Sequence, residues 1–155
     1  DAYSRMIVGY HLHEDLGAEG CVRALNMAVK NLPKDKDSTL IHHSDRGCQY
    51  CSTEYVDCLK SNNISISMTQ NSDPRENAIA ERVNGIIKQE LLEASYGNFS
   101  QARTGVKNAI NIYSYERLHS SVGMLTPFDA HAQAGQLKKH WKSYYKDKKK
   151  EIPIG

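Results

Sequence analysis

Asn77-Ala78-Ile79-Ala80-Glu81-Arg82-Val83-Asn84-Gly85-Ile86-Ile87-Lys88, taken with His42-His43-Ser44-Asp45-Arg46-Gly47 upstream, decides the fold of this chain. Asn77, Glu81, Asn84 and Lys88 recur at helical spacing and form one polar stripe. Ile79, Val83, Ile86 and Ile87 fall largely on the opposite side, as in a helix with one face on a core. Upstream, Thr39-Leu40-Ile41 reads as a short buried strand that delivers a polar end from His42 to Asp45. A carboxylate placed directly after a buried strand stands where open α/β sheets present groups to ligands. Gly47 lets the chain turn tightly behind it. Asp45 and Glu81 have 35 residues between them, and Lys88 follows Glu81 by seven. Carboxylates converging from a strand end and a helix suit divalent cations, and such cations suit phosphodiester chemistry.

The remaining pattern alternates strands with helices. Residues 2–12 alternate and then run apolar, which predicts a buried strand. Gly17 to Leu32 carries Val22, Leu25, Ala28 and Val29 at helical spacing, and Pro33 marks its end. Ser52-Thr53-Glu54 caps a second helix with Tyr55, Val56 and Leu59, stopped by Asn62-Asn63. Ile64-Ser65-Ile66-Ser67-Met68 alternates as another strand, and polar Thr69 to Glu76, with Pro74, reads as a loop. Long helices follow from about Asn77 to Ala94 and from Ser100 to Tyr115, and Thr126-Pro127 opens a short last one. The fold class is therefore α/β, a mixed sheet flanked by helices.

Bulk properties narrow the classes. At 155 residues the chain has the length of one domain with a real core. No apolar run reaches membrane-spanning length, which sets membrane proteins aside. The net charge of +2 is an average of two unlike parts. Residues 136–151 hold seven Lys against Asp147 and Glu151, making that stretch +5 and the body −3. We expect a core over residues 1–135 and a basic tail over 136–155. In that tail Trp141, Tyr144 and Tyr145 interleave with lysines in a manner suited to nucleic acid. Cys21, Cys48, Cys51 and Cys58 are too sparse for a secreted disulfide scaffold and point to reduced thiols in a cytoplasm. Cys48-x-x-Cys51 lacks the second half of a zinc site.

Four segments carry a family resemblance: Asp1-Ala2-Tyr3-Ser4-Arg5-Met6-Ile7-Val8-Gly9, His43 to Tyr50, Asn77 to Lys88, and Tyr113 to Pro127. Together, in this order and at these distances, they resemble the DDE transposases of bacterial insertion sequences. These are relatives of retroviral integrases with a ribonuclease-H-like core. The resemblance implies DNA transposition by metal-dependent phosphodiester strand transfer, with Mg²⁺ or Mn²⁺, two ions, as cofactor. Partners would be DNA, both transposon ends and target, and further copies of the chain. Asp45 matches the second catalytic aspartate and metal ligand, and Glu81 the catalytic glutamate. Lys88 matches a basic residue that contacts DNA, and Asn84 lies on the same stripe. Arg117 and His119, in Tyr115-Glu116-Arg117-Leu118-His119, match a Tyr-x-Arg-x-His segment and are second-tier DNA-binding candidates. The family's first aspartate lies on a preceding strand, in a motif resembling Asp-Ile-Thr-Tyr that these residues do not contain. Asp1 instead matches a non-catalytic position. We therefore expect an N-terminally truncated core, inactive by itself. Two other readings are a ribonuclease-H-like nuclease and a non-catalytic remnant that binds DNA or dimerises.

Overall fold

The computed structural model describes residues 1–32, 40–70 and 77–138. Two parallel strands, β1 (Ile41–Ser44) and β2 (Ser65–Met68), pair in register from Ile41 opposite Ser65 to Ser44 opposite Met68. The connection between them contains helix α2 (Thr53–Ser61), as a parallel pair requires. Ser52 caps α2, its hydroxyl accepting from the Tyr55 amide at 3.3 Å. Asn63, at φ +55°, turns the chain out of α2 toward β2. Helix α1 (Ala18–Lys30) buries Val22 and Leu25 against Tyr55, Leu59 and Ile64, and these five form the core of this half. Ile41 remains 64% exposed and Ile66 37%, an open state for parallel strands, which are ordinarily covered on both faces.

The second set of elements is helical. Helix α3 (Ala78–Ile86) runs directly into a wider, π-type turn over Ile87–Leu91, closed by the Leu92 amide donating to the Ile87 carbonyl at 3.0 Å. Helix α4 (Phe99–Asn111) does the same over Ile112–Glu116, where the Arg117 amide donates to the Ile112 carbonyl at 2.9 Å. Both helices predicted from periodicity are present, and each ends in this five-residue closure rather than in an ordinary α turn. Asn98 caps α4 through the Gln101 amide, and Thr126 caps α5 (Pro127–His131) through the Asp129 amide. The two wide turns pack on each other, and α5 packs on the second.

Residues 2–12 do not form the expected strand. The Asp1 carboxylate accepts from the amides of Tyr3 (2.8 Å) and Ser4 (2.7 Å), and Arg5 sits at φ +66°. The segment thus opens as a closed turn, which removes its first backbone donors from any ladder. Among the described residues no strand pairs with the apolar run that follows. That run acts instead as a strap between the two halves. Ser4 Oγ lies 2.9 Å from His131 Nδ1, and the Tyr113 hydroxyl donates to the Arg5 carbonyl at 3.0 Å. At the other end Gly9 lies so close to α1 that a Cβ there would overlap the Ala24 carbonyl. Among the described residues, elements of the first half make no more than slight contact with those of the second.

Candidate active site

Asp45 follows β1 immediately, at the carboxyl end of the parallel pair, and is exposed. Its Oδ1 accepts from the Gly47 amide at 2.9 Å, leaving Oδ2 without a partner among the described residues. Two bonds fix the loop around it. The Thr69 amide donates to the Ser44 carbonyl at 3.0 Å, and Arg46 Nε donates to the Thr69 carbonyl at 2.9 Å. Behind the loop, Gln49 Nε2 donates to the Leu16 carbonyl at 2.9 Å and ties it to the start of α1.

Glu81 lies in the first turn of α3, with its amide donating to the Asn77 carbonyl at 3.1 Å. Its side chain is exposed and makes no hydrogen bond or ion pair among the described residues. Asn84 and Lys88 are exposed as well, Lys88 lying inside the wide turn. The acidic pair thus comes from two different halves, and β1 and α3 are not a closely packed pair of elements. Among the described residues no three His, Cys, Asp or Glu side chains gather around one point. Asp1 uses its carboxylate on its own turn, as above.

Arg117 and His119 are engaged inside the protein. Arg117 places Nη2 2.7 Å and Nε 3.2 Å from Glu90 Oε2, and its side chain is only 26% exposed. Its guanidinium holds the Glu90 carboxyl below the usual glutamate range, chiefly through that hydrogen bond. His119 is 7% exposed, edge-on to the Tyr113 ring at a centroid distance of 4.7 Å, with a buried Nε2 that meets no partner among the described residues. His119 and Tyr113, with Arg5, Arg82, Ser121 and apolar residues of α3, line a half-open cleft of about 190 Å³. The Arg117–Glu90 pair is a feature that motif matching alone does not reveal. The only sequence signal for it is an arginine at the end of one apolar helix and an acid at the end of another.

Burial, then Arg117, lowers the His119 pKa; burial, then His43, lowers that of His42, whose Nε2 is 2.9 Å from the Tyr55 hydroxyl. Below the ordinary imidazole value of 6.5 the unfolded chain therefore binds more protons than the folded one. Stability is complete above that value and falls as pH drops through it toward the folded pKa values. Melting temperatures should decline from neutral pH to about pH 5.5, and His119→Gln should decline less steeply than the unsubstituted protein.

The cysteines carry no metal centre among the described residues. Cys48 and Cys51 are exposed, Cys51 Sγ lies 4.0 Å from Met68 Sδ, and Cys58 Sγ lies 3.5 Å from Asn26 Oδ1. The basic tail beyond Lys138, and residues 71–76 of the loop before α3, lie outside the described residues. No helix among the described residues is long and apolar enough to cross a membrane.

Comparison with known proteins supplies the context for this arrangement. Residues 1–74 match one family described as Integrase core domain, and residues 62–127 match a second of the same description. An insertion element IS600 uncharacterized 31 kDa protein of Shigella sonnei is 33% identical over 129 residues, covering 82% of this chain and 47% of that protein. The transposase for insertion sequence element IS629 of the same organism is 28% identical over 131 residues, with 84% and 43% covered. A putative transposase for IS986/IS6110 of Mycobacterium tuberculosis is 26% identical over 137 residues, with 85% and 49% covered. The chain thus spans about half the length of these curated relatives. Among solved structures, the catalytic core domain of BIV integrase superposes with a TM-score of 0.55 at 17% identity, over 76% of this chain and 72% of that one. A chain of a simian T-cell lymphotropic virus intasome, in complex with a PP2A regulatory subunit, gives 0.61 at 18% identity, over 85% and 46%. At such identities the likeness is one of fold, that of integrase catalytic cores.

Proposed function

We propose that this chain, which belongs to the integrase core family of insertion-sequence transposases, joins DNA ends to target DNA by phosphodiester strand transfer, with Asp45 and Glu81 as two of its metal-binding carboxylates. The single observation that supports this most is the state of those two side chains. Asp45 Oδ2 and the whole Glu81 carboxylate are exposed and uncommitted among the described residues, Asp45 at the carboxyl end of the parallel pair and Glu81 in the first turn of α3.

The donor set fits magnesium or manganese, which prefer carboxylate oxygens and keep several waters. When bound, such ions supply Lewis-acid activation of the attacking oxygen and neutralise charge on the leaving 3′ oxygen. The chain's own residues perform the holding and orienting. The Gly47 amide fixes one Asp45 oxygen and so directs the other outward. Asn84 and Lys88, one and two turns beyond Glu81, offer a hydrogen-bonding group and a cation to the DNA backbone. The resemblance implies a third carboxylate, on a strand bearing an Asp-x-Thr-Tyr sequence. A nuclease using water in place of a DNA hydroxyl would need the same carboxylates, but the Tyr115 to His119 and Thr126-Pro127 segments match transposases.

The test is a strand-transfer assay with a labelled DNA end and Mg²⁺ or Mn²⁺. Residues 1–155 alone should give no product, and joining a segment with Asp-x-Thr-Tyr ahead of residue 1 should give it. Turnover by residues 1–155 alone would refute the three-carboxylate reading. No product from the extended protein, with folding intact, sinks the function.

A further inference from the structure

We infer that Arg117 is a positioning residue, not a DNA contact: through Glu90 it locks the wide turn Ile87–Leu91 and thereby sets the direction of Lys88. This rests on the reading above in one respect, that Lys88 meets DNA.

The geometry is specific. Glu90 and Lys88 share the same five-residue turn, which is closed by the backbone bond from the Leu92 amide to the Ile87 carbonyl. A π-type turn has poorer intrinsic geometry than an α turn and persists where surrounding contacts favour it. Arg117 supplies such a contact. It leaves the second wide turn at its C-terminal end, its own amide bonded to the Ile112 carbonyl, and reaches across with two nitrogens to one oxygen of Glu90. The other oxygen of Glu90 faces Arg82 Nη2 at 4.0 Å, one position after Glu81. Glu90 is therefore a node between the start of α3, its terminal turn and the end of α4. A guanidinium held by two hydrogen bonds and three-quarters covered is poorly placed to meet phosphate as well. Lys88 is exposed and makes no ion pair among the described residues.

Binding of a DNA end, read as affinity and as its salt dependence, separates the alternatives. For a simple surface acid, Glu90→Ala removes negative charge and tightens binding. For the lock, it weakens binding by about tenfold and lowers the salt slope by about one, as Lys88→Ala does. In the Glu90→Ala background Lys88→Ala should then add nothing. The exchange Glu90→Arg with Arg117→Glu should restore affinity, since it rebuilds the pair while leaving a carboxylate at position 117. Tighter binding by Glu90→Ala, additive losses, or an exchange variant that stays weak would each overturn the proposal. Amide exchange at Leu92 provides a readout free of DNA. Both Glu90→Ala and Arg117→Ala should speed it at least tenfold, and unchanged exchange also overturns the lock. If the unsubstituted protein fails to bind DNA ends, the proposed function fails, and exchange at Leu92 still decides the lock.

Discussion

Replacing Glu81 with Gln, in protein carrying all three carboxylates, should reduce strand transfer at least about a thousandfold, the loss expected when a cation that stabilises developing charge by several kcal/mol is no longer held. The same substitution should leave the melting temperature almost unchanged. Glu81 is exposed and has no side-chain partner among the described residues, so its amide replacement breaks nothing in the fold. Asp45→Asn should behave alike, because Asn keeps the oxygen that accepts from the Gly47 amide while losing the charge. Parallel strand-transfer and melting measurements check both. A variant that retains a tenth or more of the original rate removes Glu81 from the metal site.

The largest stability effect is expected at Tyr113. This side chain is fully buried, meets the edge of His119, and donates to the Arg5 carbonyl, so it joins the end of α4 to the strap. Tyr113→Ala should cost about 3–5 kcal/mol, by lost transfer energy and the cavity left behind. Tyr113→Phe, which keeps the ring and loses only the hydroxyl, should cost about 1 kcal/mol. Denaturant midpoints measure both. If the two substitutions cost the same, the packing of the ring contributes nothing and the hydrogen bond carries the whole effect.

The legible parts of the sequence were those with local chemistry. Ser52 caps its helix through its own side chain, Thr126-Pro127 opens the last helix, and Ile64 to Met68 alternates at the strand period. The placement of Asp45 after a strand and Glu81 on a helix was likewise readable, because both depend on short runs of chain. What escaped depends on distant partners. The apolar run after Tyr3 has strand composition, yet strand pairing needs a neighbour, and no described strand supplies one. Periodicity predicts α-helix to about Ala94 and cannot register the single extra residue of a π closure at Leu92. Arg117 and His119 were legible only as parts of a family segment; their contacts with Glu90 and Tyr113, 27 and six positions away, were not.

The strap has a mechanical corollary. Asp45 rides on one lobe and Glu81 on the other, and the N-terminal dozen residues are fastened to both. The spacing of the two acids therefore depends in part on how this segment seats at its two ends. A divalent ion gripping both would add a clasp between the two sets of elements that this segment already joins.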